Sequence, residues 1–187
     1  MFSQHAADPR LLEKINQGPW DFIVLQEQSQ MPALSQAQVR KAVYPQAKKL
    51  CDLIRQANPK ARIVFYMTMA KKNGDLQNVR VMPVLSTYQG MQRRINQSYV
   101  AMAKQNRGLL APVGQVWALV RRNKPSLELY SDDTHPNLTG TYLAACVFYA
   151  VLFNDSPLGL PHPQPVDNDT AFYLQKITAE VLSARRT

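Results

Sequence analysis

Short apolar segments that alternate with longer helical patterns constrain the fold of this chain more than any other feature. The segments "DFIVLQ" (21–26) and "RIVFYM" (62–67) are rich in β-branched and aromatic residues, and "GLLAPVGQVW" (108–117) contains a third short strand and its exit. Strands that alternate with helices form parallel sheets with helices on both faces. The sequence therefore predicts an α/β fold in which 21–26 and 62–67 are adjacent or near-adjacent central strands.

Recognisable signals bound the helices between these strands. Ser35 followed by Gln38 forms a capping-box pattern that opens a helix, and Pro45 inside that helix predicts a kink or a later start. A second helix begins at about Tyr88, and Gly108 is its expected C-cap. The polar, irregular segment before Tyr88 predicts a long loop, which in a small domain often carries function.

Two further helices are expected in the C-terminal part. Residues from about Thr139 to Phe153 are apolar almost all round, which predicts a buried helix. A proline-rich linker over 156–168 leads to a last amphipathic helix, capped by Asp169. We expect residues 1–187 to form a single domain.

Composition and charge narrow the classes of function. The chain has 187 residues, of which 45% are hydrophobic, so it can bury a core of its own. Its net charge is +9, but the basic residues are scattered in ones and twos and no basic run is interleaved with aromatics. This pattern argues against nucleic-acid binding and suits a surface that attracts anionic substrates or cell-envelope polymers. The sequence has no apolar run long enough to span a membrane.

The cysteines and two of the histidines give no sign of a metal site. Cys51 and Cys146 each lie in an apolar helical pattern, which predicts buried, unpaired thiols. His5 and His162 lie in a predicted tail and a predicted linker, without the spacing of metal ligands. We therefore expect neither a metal nor a cofactor.

The third histidine lies in a segment whose chemistry is more specific, "YSDDTHPNLTG" (130–140). A histidine acts as a general base only if its ring is held in the right tautomer, and Asp132, three residues before His135, can accept the Nδ1 proton. The alternative is a solvated turn or a helix cap, in which Asn137 or Thr139 begins the apolar helix. The pattern alone leaves both interpretations open.

A second polar cluster, "QEQS" (26–29), follows directly after the first predicted strand. The cluster "SDDTH" (131–135) lies in the loop before the buried helix. In parallel α/β sheets, functional groups gather in loops at the carboxyl ends of the strands. The fold can therefore bring the two clusters together, although about a hundred residues separate them in sequence.

The segment 130–140 resembles the fifth conserved block of the SGNH (GDSL-type) hydrolases, in which Asp-x-x-His-Pro supplies the catalytic acid and base. "WDFIVLQEQSQ", "FYMTMAKKNG", "APVGQVWA" and "HPNLTGTYLAACVFYAVLF" are similar, in the same order, to one bacterial branch of that superfamily and cover most of 18–160. The resemblance implies a flavodoxin-like three-layer α/β/α fold. It also implies an esterase, lipase or carbohydrate O-deacetylase that acts through a Ser-His-Asp triad without a metal, on a small-molecule or saccharide ester.

The same resemblance implies roles for individual residues. His135 is the general base and Asp132 its orienting carboxylate, while Asp133 is an exposed neighbour or shapes the loop. Gln26 and Gln28 take the Gly and Asn positions of the superfamily's Gly-x-Asn-Asp block, whose Asn donates a hydrogen bond to the oxyanion. A glutamine amide can donate the same hydrogen bond, and the sequence leaves open which of the two does so.

The nucleophile block of the superfamily has no counterpart in this sequence, which contains no Gly-Asp-Ser, Gly-Asn-Ser or Gly-x-Ser-x-Gly. One interpretation is that the N-terminal part of the family domain is missing, through a misassigned start or a truncated gene. A second is a non-catalytic relative that binds a saccharide or another ligand. In the third, Ser29 is the nucleophile, against the alternative that it is a turn hydroxyl bonded to nearby backbone.

A missing family strand has a consequence for assembly and for the compartment. It would leave an open edge on the sheet, and such edges pair with other chains, so we expect a homodimer or poor solubility. The N-terminal "MFSQHAADPR" lacks the basic-then-apolar layout of a signal peptide, so this chain does not reveal its compartment. The resemblance implies a bacterial protein, periplasmic or secreted if a signal has been lost.

Overall fold

Three parallel strands form the sheet at the centre of the structure, a computed structural model that describes residues 1–184. Strand β1 (Phe22–Leu25) pairs with β2 (Arg62–Tyr66), and β2 pairs with β3 (Leu109–Ala111), which gives the order β1-β2-β3. Val64 and Phe65 in the middle of β2 are fully buried. The apolar, β-branched character that predicted the strands thus places them between packed layers, and the predicted parallel α/β fold is confirmed.

Helices flank the sheet and connect its strands. Residues 1–184 contain α1 (Phe2–His5), α2 (Pro9–Asn16), α3 (Gln30–Ala33), α4 (Gln36–Ala42), α5 (Tyr44–Ala57), α6 (Tyr88–Gln105), α7 (Val113–Asn123), α8 (Leu138–Leu152) and α9 (Asn168–Ser183). Neighbouring strands follow their chain order, and crossovers between parallel strands are right-handed in almost all proteins, which predicts that α5 and α6 lie on the same face of the sheet. Helix α8 contacts β3, and its Phe148 meets Tyr66 of β2 edge to face, with ring centroids 5.0 Å apart. The arrangement is that of the flavodoxin-like three-layer fold.

Capping residues set several helix boundaries where the sequence predicts them. The side chains and backbone of Ser35 and Gln38 form the reciprocal capping box that begins α4. Pro45 lies in the first turn of α5, so it delays the start of that helix rather than kinking it. Asn137 caps α8, since its Oδ1 accepts a backbone N–H at 2.9 Å.

The predicted end of α6 is wrong. The helix ends at Gln105, and the residue with left-handed backbone after it is Arg107, with φ of 46°, rather than Gly108. Gly108 serves packing instead, because an added Cβ would lie 2.8 Å from the ring of Phe65. The Gly108 N–H still donates to the Ala103 carbonyl at 2.9 Å at the helix end, but Arg107 takes the left-handed position, and the missing Cβ of Gly108 lets β3 approach the core.

The cap of α9 and the whole of α7 also differ from the prediction. Asp167, and not Asp169, caps α9 by accepting a backbone N–H at 2.8 Å. The segment expected to be only the exit of the third strand forms helix α7. Pro112 is the N-cap of this helix, and a Cβ on Gly114 would lie 2.2 Å from the carbonyl oxygen of Thr68. This glycine permits close approach of helix and loop rather than ending the helix.

Strand β1 lies at an edge of the described sheet and not at its centre. It pairs with β2 on one side only, and 44% of Val24 is exposed. The N-terminal residues, expected to be a tail, form α1 and α2 and pack on α5. A groove of about 260 Å³ remains beside β1, with an apolar lining that includes Phe2, Ile15 and Ile54.

The core lies between the sheet and its helices. Its largest buried side chains include Phe65, Tyr99 and Trp117, one from a strand and two from helices. The proline-rich segment predicted as a linker contains no helix or strand before α9 begins. Within residues 1–184, every helix is too short or too polar to cross a bilayer.

Both cysteines are expected to react only after unfolding. Cys51 and Cys146 are free and buried, and burial raises the pKa of each thiol to about 11. An alkylating reagent without reductant should therefore leave the native protein almost unmodified and add two labels in denaturant, as read by intact mass. Absence of labels in denaturant would instead show a disulfide.

The open edge of β1 is expected to cause self-association, because unpaired strand edges with apolar side chains pair with a second strand. Light scattering should show a mass that rises with concentration in the unmodified chain. Val24→Lys should restore the monomer mass, since a charge on an edge strand opposes pairing. Val100→Lys on α6 is the matched control, because Val100 is also 44% exposed. A monomer at every concentration would contradict the prediction.

Candidate active site

A tight turn before α8 holds the aspartate and histidine singled out in the sequence. Tyr130 and Pro136 form an isolated antiparallel bridge that closes the turn. Inside it, Asp132 Oδ1 accepts the backbone N–H of Thr134 at 2.6 Å and that of His135 at 2.7 Å. This carboxylate oxygen fixes the backbone, as Asp side chains do in turns.

The other oxygen of the same carboxylate contacts the histidine ring. Asp132 Oδ2 lies 2.7 Å from His135 Nδ1. The pKa of Asp132 is lowered, first by the hydrogen bond with the His135 ring and then by the backbone N–H groups of Thr134 and His135. An ionised carboxylate at Nδ1 favours the tautomer in which Nδ1 carries the proton, which leaves Nε2 as an acceptor. The hydrogen bond expected from the Asp-x-x-His spacing is present.

This pair is open to solvent. The side chains of His135 and Asp132 are 74% and 54% exposed. Water therefore screens the charge of Asp132, and the pair contributes little to the stability of the fold. Its geometry is nevertheless that of a base with an orienting carboxylate; the catalytic roles themselves stay predictions.

Asp133 attaches the turn to the loop after β2. Its carbonyl accepts the backbone N–H of Lys72 at 2.7 Å, and its Oδ1 accepts from Asn73 Nδ2 at 3.2 Å. Lys72 also forms an ion pair with Glu128 at 2.5 Å. Asp133 is also exposed, so its position fits both implied roles, exposed neighbour and loop-shaping residue. The turn with His135 is held against the end of β2 by backbone and side-chain contacts together.

A cavity of about 560 Å³ brings the two polar clusters of the sequence together. Its lining comprises Gln26, Gln28, Ser29, Gln30, Tyr66, Thr68, Met69, Lys71, Thr134, His135 and Pro136. Residues that follow β1, residues that follow β2 and the turn before α8 each contribute. Asp132 is not part of the lining and reaches the cavity only through His135.

The two candidate oxyanion donors differ in how their amides are used. Gln28 Nε2 donates to Gln30 Oε1 at 2.6 Å, and Gln30 Nε2 in turn donates to Asp75 Oδ2 at 2.9 Å. The side-chain amide of Gln26 forms no hydrogen bond with any described residue. The side-chain amide of Gln26 is therefore free to donate to a ligand, whereas that of Gln28 is held in place by its hydrogen bond to Gln30.

Ser29 lies in the same cavity but is engaged elsewhere. Its Oγ donates to Thr68 Oγ1 at 3.1 Å, and no hydrogen bond joins it to His135 within residues 1–184. Ser29 directly precedes α3, yet its side chain does not cap that helix. The serine is thus a bonded hydroxyl near the base, without the contact that would activate it.

Glu27, between the two glutamines of "QEQS", sets the path of the chain through its hydrogen bonds. It is buried, and its carboxylate accepts the backbone N–H of Phe2 at 2.9 Å and that of Gln28 at 2.8 Å. Tyr99 Oη accepts the Glu27 N–H at 3.0 Å. Glu27 is therefore bonded to both α1 and α6, and its neighbours Gln26 and Gln28 line the cavity.

Sequence reasoning missed an ion pair in the cavity wall. Lys71 Nζ lies 3.2 Å from Oδ1 of Asp75, which is only 1% exposed. Burial opposes ionisation of Asp75, but hydrogen bonds from Asn78, Gln30 and Lys71 outweigh it, so the pKa of Asp75 is lowered. The spacing of four residues between Lys71 and Asp75, within a loop already expected to be functional, was the available signal.

Comparisons with known proteins give structural neighbours only. No family model matches the chain, and no curated protein matches it. A crystal structure of a DUF4886 family protein from Bacteroides uniformis superposes with a TM-score of 0.81 at 15% identity, over 100% of this chain and 80% of that one. A protein from Slackia heliotrinireducens described as a "putative SGNH hydrolase" superposes with a TM-score of 0.63 at 25% identity, over 81% of this chain and 78% of that one.

The first of these neighbours shows the fold. The second carries the superfamily name that the sequence motifs also suggested, and it matches most of both chains. Together with the parallel α/β sheet and the polar cavity at its strand ends, these likenesses support an SGNH-like superfamily relation for this chain.

Proposed function

We propose that this chain supplies the base and orienting acid of an SGNH-type serine esterase or carbohydrate O-deacetylase. The observation that carries the proposal is the 2.7 Å contact between Asp132 Oδ2 and His135 Nδ1, with the His135 ring lining the same cavity as Gln26 and Gln28. A base oriented by a carboxylate beside amide donors is the arrangement that acyl transfer requires.

In the proposed reaction, His135 Nε2 removes the proton from a serine hydroxyl as its oxygen attacks the ester carbonyl carbon. Amide N–H groups of Gln26 or Gln28 stabilise the charge that develops on the carbonyl oxygen. The bond to the alcohol then breaks, and the imidazolium gives its proton to the departing oxygen. Water activated by the same nitrogen hydrolyses the acyl-serine, releasing the acid and restoring the hydroxyl.

The cavity lining favours a hydroxyl-rich ester such as an acylated saccharide. Its wall presents the side-chain amides of Gln26, Gln28 and Gln30, the hydroxyl of Thr68 and the ammonium group of Lys71. These groups can donate or accept several hydrogen bonds at once, as recognition of a sugar requires. A cavity of about 560 Å³ is within the range of small-molecule sites.

The proposal assigns the nucleophile to a Gly-Asn-Ser or Gly-Asp-Ser segment joined to this chain. The sequence printed here contains neither triplet, and Ser29 is bonded to Thr68. A serine on such a segment must approach His135 from solvent, and the exposure of the His135 side chain leaves room for it.

A ligand-binding domain without catalysis is the second candidate. The observation that favours it is that no serine hydroxyl of residues 1–184 forms a hydrogen bond with the His135 ring, because Ser131 bonds only to the His135 carbonyl and Ser29 to Thr68. In that case the polar cavity binds a saccharide or another ligand, and the Asp132–His135 pair acts only as a hydrogen-bonding group.

The base and acid are tested in a chain extended with a Gly-Asn-Ser segment, with p-nitrophenyl acetate as substrate. His135→Ala should abolish hydrolysis, because the cavity lining contains no other histidine and no aspartate or glutamate to accept the serine proton. Asp132→Ala should lower kcat by several orders of magnitude, roughly as in other triads. His162→Ala and Asp169→Ala are the matched controls and should keep full activity. Unchanged activity in His135→Ala would refute the assignment of the base.

The 187-residue chain without the added Gly-Asn-Ser segment should show at most trace hydrolysis, because a base without an activated nucleophile acts only on water. Ser29→Ala should leave that trace unchanged. Hydrolysis well above the trace that is lost in Ser29→Ala would make Ser29 the nucleophile. If the extended chain is also inactive but a saccharide ester binds in the cavity, the ligand-binding function is the correct one.

A further inference from the structure

A second cavity, of about 460 Å³, lies between α6 and α7 and shares no lining residue with the cavity around His135. On α6 its lining includes Gln89, Arg93 and Asn96, which are spaced three and four residues apart and so share one helix face. On α7 it includes Ala118, Arg121 and Arg122. Two helix faces thus form the walls of one groove.

The charge of this groove is entirely positive. Three arginines line it, and its lining contains no aspartate or glutamate. None of the three forms an ion pair with a carboxylate of residues 1–184. Four basic side chains elsewhere in residues 1–184 do have such partners, among them Lys71 with Asp75 and Lys72 with Glu128. The groove therefore holds guanidinium groups that no carboxylate of the described chain neutralises.

Arg121 is held rigidly in the wall of this groove. Its Cζ lies 4.1 Å from the ring centre of Tyr88 and 5.4 Å from that of Tyr130, and its Nη1 donates to the Lys72 carbonyl at 3.0 Å. The two rings and the carbonyl fix the plane of the guanidinium without removing its charge. The Arg121 side chain is already ordered by these contacts, so it loses little conformational entropy when it binds an anion. A partly buried cation without a carboxylate partner is also stabilised by such an anion.

An amide next to the arginines is also oriented as a donor. Gln92 Nε2 donates to Asn96 Oδ1 at 2.9 Å, and Gln92 Oε1 accepts the N–H of Ala70 at 2.7 Å. Because the oxygen of Asn96 is used in this way, its Nδ2 is the group left to face a ligand. Arginine forks and amide N–H groups together match the oxygens of phosphate, sulfate or carboxylate.

We propose that the α6–α7 groove is a binding site for an oxyanion, with Arg93, Arg121 and Arg122 as its cationic groups. The anion is either a free inorganic ion or the acidic group of a saccharide, and both present the same oxygens to the arginines. The site is independent of ester hydrolysis, because none of its residues lines the cavity around His135.

The test is calorimetric titration of the complete chain with sodium phosphate, sodium sulfate and sodium glucuronate, each against potassium chloride of equal ionic strength. The expected result is saturable binding of at least one oxyanion and none of chloride. Tight binding of phosphate or sulfate but not of glucuronate identifies a free inorganic ion as the ligand. The reverse result identifies an acidic saccharide.

The double variant Arg93→Gln, Arg122→Gln should weaken binding by at least about tenfold, since two charge-assisted hydrogen bonds are lost. Both residues are exposed, so the fold should be kept. The matched control is Arg40→Gln, Arg80→Gln, which removes the same net charge from exposed positions outside the groove. Equal weakening in the control, or no saturable binding of any oxyanion, would overturn the proposal. Neither result depends on whether His135 is catalytic, because no ester is present.

Discussion

The parallel pairing of β1 with β2 determines where every polar group of the candidate site lies. Since both strands run in the same direction, their carboxyl ends meet at one edge, and the residues after them, Gln26 to Ser29 and Met67 to Lys71, become neighbours. Antiparallel pairing would place these segments at opposite ends of the sheet. The turn before α8 then needs only to reach this edge, and the Lys72–Asp133 backbone hydrogen bond attaches it there.

One carboxylate both builds the turn and contacts the imidazole ring of His135. Asp132 uses Oδ1 for the backbone of residues 134 and 135 and Oδ2 for the imidazole. The turn expected in "SDDTHPN" and the Asp132–His135 contact expected from the spacing are therefore both present, while the catalytic roles stay predictions. The turn chemistry positions the carboxylate, and the carboxylate positions the ring. Asn137, as the cap of α8, completes the same segment without taking part in the cavity.

The sequence predicted the sheet well because strand periodicity and β-branched composition are local signals. It predicted His135 and Asp132 as a pair because their spacing is local too. The sequence did not predict helix α7, in which Gly114 lies against the carbonyl oxygen of Thr68 from another segment. It also did not predict the packing of Gly108, whose missing Cβ leaves room for the ring of Phe65.

The difference between local signals and long-range contacts also explains which parts of the candidate site the sequence could predict. Glu27 contacts Phe2 of α1 and Tyr99 of α6, and Asp75 contacts Gln30 of α3, so these partners are distant in sequence. Lys71 and Asn78 are the local partners of Asp75. Long-range contacts of single polar groups are invisible in one sequence. These long-range contacts nevertheless determine which glutamine side-chain amide, that of Gln26 or that of Gln28, is free to donate a hydrogen bond to a ligand.

The buried carboxylate of Asp75 joins two walls of the cavity, because Gln30 donates to one of its oxygens and Lys71 contacts the other. Gln30 in turn accepts a hydrogen bond from Gln28. One of the two candidate oxyanion donors, Gln28, therefore shares a hydrogen-bond network with α3 and the loop after β2. Groups that share a network do not act additively. Substitutions of Gln30 and Lys71 will therefore not combine as a simple sum of free energies, and variation at one position will depend on the residue at the other.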